Sequence, residues 1–481
     1  MLGDRLLRYA IPFHCVNCQG IEESNLWVQK PIVSGENDLY EHIVNLVSQD
    51  HRRAVATSWE WKEKGKFSNI TYSTDLSGNH SVEWRFVNAG LVLFDTQVGI
   101  LWWEIENKTA FSNIEEMQGF SYTIKELARG NKGNTYRHFS GPIERMQEKI
   151  EQAKTNPDIQ ILEQYDSKNR TFLKGREKVS LFENVLNPLL EGLTVDSYFA
   201  NRRSHQGSLL PDRCIPFIWG LLNAGETEEW QAANFAFKLG RCYNNQYSMP
   251  KKISEEDFYR PFEDSIWYAS LEGCANIVFP TEKKDFYSNG GYKKRLDTYY
   301  YLFILNLGQY YSLLQLETEV ADLPTDDKRY DARNTILEDM LDKIHVFNLK
   351  NMYSQVGHFT QHNEFYGYLR NRFFIHEMHG ELETEVQSLY EMVERKQAKR
   401  SADRFKVISF ISSLFVVVEI FANMEQIVEM CCGKGISASW QLVISALCVG
   451  AVACIGVIVW LLTKCIDNIH DKKKKNEFSQ E

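Results

Sequence analysis

The sequence predicts an α/β cytoplasmic domain followed by long stalk helices and two C-terminal transmembrane helices. Three observations predict it. Residues 1 to about 290 mix strand and helix periodicity, apolar positions recur every three or four residues from Lys293 to Val393, and two apolar runs close the chain at 405–422 and 442–462. The organisation that follows is a cytoplasmic α/β domain at 1–290, a long helical hairpin and stalk at 291–404, a first span at 405–423, a short outer loop at 424–441, a second span at 442–463 and a basic cytoplasmic tail at 464–481.

In the first region Val82 to Val87, Leu91 to Asp95 and Val98 to Glu106 read as strands, the last two closing as a hairpin through Thr96 and Gln97. Helical patterns occupy Asn113 to Ala128, Ile143 to Lys154, Val179 to Leu193 and Glu226 to Cys242, and Ile266 to Phe279 is strand-like again. A chain of 481 residues with 43% hydrophobic content can bury a large core, which excludes general disorder. The ten cysteines are spread thinly, and no Arg- or Lys-led apolar stretch opens the chain, so neither a disulfide scaffold nor a cleaved leader is expected.

The next helix runs from Lys293 to about Val320 and stops at Asp322, Leu323, Pro324. Thr325, Asp326 and Asp327 then suit the N-terminus of a helix reaching about Met352, because carboxylates complement the positive end of the helix dipole. A third helix begins near Thr360 and runs on without a strong breaker. Its seam of Ile375, Met378, Leu382, Val386, Leu389 and Val393 is narrow and flanked by charge, so packing against copies of itself is expected.

Either apolar run could cross a hydrocarbon layer of about 30 Å at about 1.5 Å per residue. Trp440 and Trp460 would sit one at each interface, and Ala446, Gly450 and Cys454 form a small-residue stripe for helix packing. Basic residues crowd Arg395 to Lys406 and Lys464 to Lys475, whereas the connecting loop is acidic. The positive-inside rule places both termini in the cytoplasm of a multi-pass protein of the cell inner membrane. Residues 395–481 carry +4, which with −10 for the whole chain leaves −14 for residues 1–394. So acidic a body argues against direct nucleic acid binding.

This layout, from Lys293 to Lys475, resembles the CorA family of homopentameric divalent-cation channels. The resemblance implies a pore lined by one face of the first span. Ser409, Ser412, Val416, Glu419 and Asn423 share one helical face there, and an ionisable Glu419 in a span is a pore candidate in its own right. It also implies a metal site at the helix tips, here Glu317, Glu319, Asp322, Asp326 and Asp327, holding Mg2+ or another divalent cation. The family's Gly-Met-Asn signature does not occur; Phe421, Ala422, Asn423, Met424, Glu425 stand in its place. A branch lacking it resembles the CorA-like antiviral effectors of type III CRISPR systems. That branch implies a homo-oligomer in the lipid bilayer, gated by an adenine-nucleotide second messenger of the S-adenosylmethionine-AMP type. The other reading is a constitutive magnesium or other divalent-cation transporter regulated by metal.

Three basic, glycine-bearing loops are the candidates for a small anionic nucleotide: Arg129, Lys132 and Arg137; Arg202, Arg203 and Arg213; Lys293, Lys294 and Arg295. Trp102, Trp103, Trp219 and Trp230 could stack an adenine, though core packing is the ordinary role of such rings. Cys15 and Cys18 make half of a zinc site or a reduced pair; with no second CxxC the reduced pair is the favoured reading. His358 with His362 and His376 with His379 have ligand spacing but also suit solvated helix faces. No GxSxG, HExxH, P-loop or dinucleotide fingerprint is present, so no enzymatic activity is expected.

Overall fold

The computed structural model describes residues 2–422 except positions 19, 34–37, 48–53, 63–68, 77–79, 109–110, 132, 168–169, 200, 204–208, 226, 245–246, 248, 251–253, 283–284, 289, 323–329 and 352; beyond 422 it describes only Val443, Ala446 and Gly450. The chain divides into two units, Met1–Val386 and Gln387–Glu481.

The first unit is built on a sheet in which fourteen strands are linked among the described residues. The strands are β1 (Leu2–Asn17), β2 (Trp27–Gln29), β3 (Ala56–Trp61), β4 (Tyr72–Leu76), β5 (His80–Phe94), β6 (Val98–Asn107), β7 (Thr135–Pro142), β8 (Ile159–Ser167), β9 (Arg170–Val179) and β10 (Thr194–Ser197), then β11 (Asn201–Arg203), β12 (Leu209–Pro211), β13 (Ile215–Leu222), β14 (Phe258–Phe262), β15 (Ser265–Ser270) and β16 (Gly273–Val278). Their order is β14-β15-β16-β13-β1-β6-β5-β4-β7-β9-β8. β10 is added on β1, β3 on β5 and β2 on β3, while β11 and β12 form a separate pair. Only the β13–β16 pairing is parallel among the described registers.

The longer helices are α1 (Ile114–Ala128), α2 (Gln147–Thr155), α3 (Glu229–Arg241), α4 (Gly290–Ala321), α5 (Tyr330–Asn351), α6 (Thr360–Arg372) and α7 (Ile375–Ala422). Alternation along the central strands explains why helices cover both faces. In β1, Leu7, Tyr9, Ile11 and Phe13 join the core beneath α1 and α3, as do Leu101, Trp103 and Ile105 of β6. The residues between them face α4: Arg8 reaches Asp297, and Trp102 meets Tyr300. β13 has no exposed residue along its length. Strands buried on both faces read as near-continuous apolar runs rather than alternating ones, which is why β1 and β13 escape a search for period two. The glycine at Gly308 lets α4 lie directly on Phe94, whose ring occupies the space that a side chain would need.

Several elements match the sequence reading closely. The predicted helix at 113–128 is α1, with the Asn113 side chain accepting from the Glu116 amide. The β5–β6 turn passes through Gln97 with φ 64°. The strand-like segment 266–279 is two strands, β15 and β16. The predicted helix at 179–193 is instead the end of β9 followed by short π and 3-10 turns, Phe182–Leu186 and Asn187–Leu190.

Two expectations need correction. The third long helix breaks at Phe374, which takes φ 56°, so that Phe373 turns inward beside Phe303 and Tyr310. The start of the seam expected to face other copies is buried within this one chain: Ile375, Leu382 and Val386 are almost wholly covered, and His379 bonds Asn348 of α5.

The fold class as predicted does not hold in its membrane part. The α/β body is present, but no helix among the described residues is long and apolar enough to cross a membrane. In the first apolar run the uncharged stretch between Lys406 and Glu419 is twelve residues including three serines, about 18 Å of helix against the roughly 30 Å required. The second run lies outside the described residues apart from Val443, Ala446 and Gly450. This corrects the two-span architecture, and with it the membrane and ion-channel class drawn from it.

In the second unit, the described part of α7 continues to Ala422. Phe405, Val407, Ile408, Phe410, Ile411, Phe415 and Val416 are all exposed on it.

Candidate functional site

A cleft of about 200 Å³ opens between α4 and the sheet, lined among others by Arg8, Lys30, Trp59, Glu60, Asn88, Trp102, Asp297 and Tyr300. Each wall has a local cause. Lys30 is fixed at the end of β2, where its amide donates to Ser58 O of β3 at 3.0 Å. Trp102 lies across β5 because its register partner is Gly90, where a Cβ would sit 2.5 Å from the indole. Only glycine permits that approach.

Arg8 is the centre of the site. Its Nε donates to Glu104 Oε2 at 2.8 Å and its Nη2 to Asp297 Oδ1 at 2.7 Å. The guanidinium lies 4.6 Å from the Tyr300 ring centroid and 6.0 Å from that of Trp102. Burial by itself weakens a cation's hold on its proton, but Glu104 and Asp297 outweigh it and raise the Arg8 pKa, so the group is permanently charged. At the rim Lys30 pairs with Glu60 at 2.8 Å, and Asn88 Nδ2 donates to the other Glu60 oxygen at 2.8 Å.

Two donors in these walls find no acceptor in the protein. Trp102 Nε1 and the Tyr300 hydroxyl are both buried and both without a partner. Burial chiefly, with the carboxylates of Glu104 and Asp297 adding to it, pushes the Tyr300 phenol well above its ordinary range, so it stays a donor. A buried donor left unmade costs free energy of about 1 to 3 kcal/mol; both atoms are closed to solvent here, so an acceptor from outside would reach them only with a displacement of the wall.

No family model, no curated protein and no solved structure matches the chain. The site is therefore argued from its own chemistry.

The residues named from the sequence fall elsewhere. Arg129 is clamped by Glu126 and by Asp212, each at 2.6 Å, which brings the first basic loop against the second. Arg213 is exposed and close enough to Tyr310 and Tyr311 of α4 to act on both phenols. The third loop belongs to the other end of α4: Arg295 packs on Phe286, fifteen residues or about 22 Å of helix before Tyr310. Arg137 pairs with Glu177 at 2.9 Å. Lys132 lies outside the described residues, as do the side chains of Arg202, Arg203, Lys293 and Lys294.

Of the acidic tips, Glu319 bonds Lys343 at 3.0 Å, and Asp322 is exposed at the end of α4. Glu317 has its pKa raised by burial first and then by Glu381 and Glu385. Asp326 and Asp327 lie outside the described residues, and among those described no group of three His, Cys, Asp or Glu side chains is placed to hold a metal ion. Ser409, Ser412, Val416 and Glu419 are exposed on α7, and Asn423 lies outside the described residues. Of the paired histidines, His362 is buried against Tyr299. Of the tryptophans, Trp103 stacks on Tyr9 in the core and Trp230 is exposed.

Sequence reasoning singled out Trp102 but missed Arg8, Lys30, Trp59, Asp297 and Tyr300. Nothing local marks Arg8, since its partner Asp297 is 289 residues away.

Proposed function

We propose that this chain is a ligand-responsive effector whose α/β body binds the heterocyclic part of a small adenine nucleotide in the cleft beneath α4. The observation that carries the reading is the pair of buried, unpartnered donors, Trp102 Nε1 and Tyr300 Oη, in walls that also include the Trp59 ring. Adenine offers ring-nitrogen acceptors and a flat π face, which matches donors set among aromatic rings. The ionic groups of the cleft are already paired, so it suits a base rather than a phosphate. The phosphate end of the ligand would extend past Lys30 into solvent.

In this reading the protein is an effector of the CorA-like, CRISPR-associated kind, responding without catalysis to a second messenger of the S-adenosylmethionine-AMP type. It acts as a homo-oligomer, and the exposed apolar row from Phe405 to Val416 supports association between copies, because such a row is favourable only when it is covered.

Isothermal calorimetry on the purified full-length chain tests the binding half. An adenine-bearing dinucleotide is expected to bind, and Tyr300→Phe, which removes one donor and nothing else, is expected to weaken it about tenfold. Absence of binding by any adenine nucleotide would overturn the proposal. Binding unchanged in Tyr300→Phe but lost in Arg202→Ala/Arg203→Ala would move the site to the basic loops.

A further inference from the structure

We propose that Cys15 and Cys18 form a dithiol–disulfide exchange site that reacts with low-molecular-weight disulfides of the glutathione type. The two Sγ atoms lie 2.7 Å apart. Two thiolates on one tetrahedral zinc, with bonds of about 2.3 Å, are held roughly 3.8 Å apart. The pair is thus closer than a shared metal would set it, and among the described residues no third His, Cys, Asp or Glu completes a metal site with them. Closing a bond between the sulfurs needs only a small approach.

The frame around the pair divides the labour between the two residues. Cys15 is buried in β1, with its amide donating to Gln97 O at 2.8 Å. Pairing with β10 is irregular on both sides of it, so the strand kinks at this point. Cys18 follows the end of the strand, is partly buried, and has its carbonyl bonded by the Ile21 amide at 3.2 Å. Solvent therefore reaches Cys18 before Cys15. The hydrogen bond from the Cys15 thiol also lowers the Cys18 pKa, whereas Cys15 is raised by the same bond and by burial. Cys214, Cys242 and Cys274 give the contrast: all three are fully buried, and burial pushes each thiol up.

The exchange balances in two steps. The Cys18 thiolate attacks one sulfur of the small disulfide, forming a mixed disulfide and expelling one thiolate. Cys15 then gives its proton to that leaving thiolate or to water, and its sulfur attacks Cys18 Sγ. This forms the Cys15–Cys18 disulfide and releases the second small thiol. Two protein thiols are oxidised and one disulfide is reduced to two thiols.

The test uses the full-length chain, incubated with oxidised glutathione, quenched by alkylation and read by peptide mass spectrometry. The wild type is expected to yield an internal Cys15–Cys18 disulfide, while Cys214, Cys242 and Cys274 stay reduced and are alkylated only after unfolding. Cys15→Ser is expected to trap glutathione on Cys18, and Cys18→Ser to react at least about tenfold more slowly at Cys15. Circular dichroism of both variants confirms that they remain folded. Four results would overturn the proposal: both cysteines alkylated after oxidation of the folded chain, glutathione accumulating equally in the two variants, stoichiometric zinc lost with either cysteine, or an unfolded Cys15→Ser together with a wild type that forms no internal disulfide.

Discussion

Both faces of the central sheet are covered by helices, and they differ in what they bury. Beneath α1 and α3 the contents are mainly apolar: Phe120, Ile124, Met117, Ala236 and Phe237 pack on Leu7, Ile11 and Ile218. Beneath α4 and α6 the burial is aromatic and polar. Tyr299, Tyr300 and Tyr301 are consecutive on α4, with Asn276, Asn306, Gln309 and His362 all buried near them. Some of these groups are satisfied: Tyr301 donates to Ile43 O at 2.5 Å, and Gln309 to Asn351 O at 2.8 Å. Others are not, including Trp102 Nε1, the Tyr299 and Tyr300 hydroxyls and both ring nitrogens of His362. The first face leaves some unmade too, among them the indole N–H groups of Trp27, Trp61 and Trp103, so the faces differ in their polar and charged content rather than in having unmade donors at all. On the proposed reading that polar content serves recognition on the second face, while the apolar first face carries most of the stability.

Truncating the apolar face should have the largest effect. Phe120→Ala is expected to lower stability by about 3 to 5 kcal/mol, read as a fall in the denaturant midpoint with the slope unchanged; a loss below about 1 kcal/mol would remove the contrast between the faces. Next comes the ionic centre of the second face. Arg8→Gln leaves Glu104, which is 12% exposed, without its main cation. A cost of about 3 kcal/mol is expected, and adding Glu104→Gln should recover part of it.

The third effect depends on pH. Burial lowers the His362 pKa below its ordinary value, with Arg295 acting in the same direction and Asp38 against it. The unfolded chain therefore binds the proton first, and stability falls as pH drops below about 6.5 toward the folded value. His362→Phe should flatten that part of the stability–pH profile, and an unchanged slope would show that other groups carry it. The smallest change in stability is expected from Tyr300→Phe. Its hydroxyl has no partner in the protein, so the free energy of unfolding should change by less than about 1 kcal/mol, even though nucleotide binding weakens. A large destabilisation there would mean that the second face is structural after all.

How far the sequence could be read depended on the range of the contacts. The cap at Asn113, the turn at Gln97 and the helix now placed at Gly290–Ala321 are local events, decided by neighbours three or four residues apart. The break at Phe374 ran against local propensity, because burial of Phe373 against α4 outweighed helix continuity.

By itself the sequence determined an acidic α/β body, its long helices and the isolated CxxC, since charge, periodicity and spacing are properties of the chain. Only the tertiary structure decided that β1 lies between β13 and β6, that Arg8 meets Asp297 beneath α4, and that Cys15 and Cys18 touch. The first two rest on pairings between residues far apart in the chain, whose cost in loop entropy is repaid only once the whole sheet has formed; the third is a short-range contact set by the irregular pairing of Cys15 with β10.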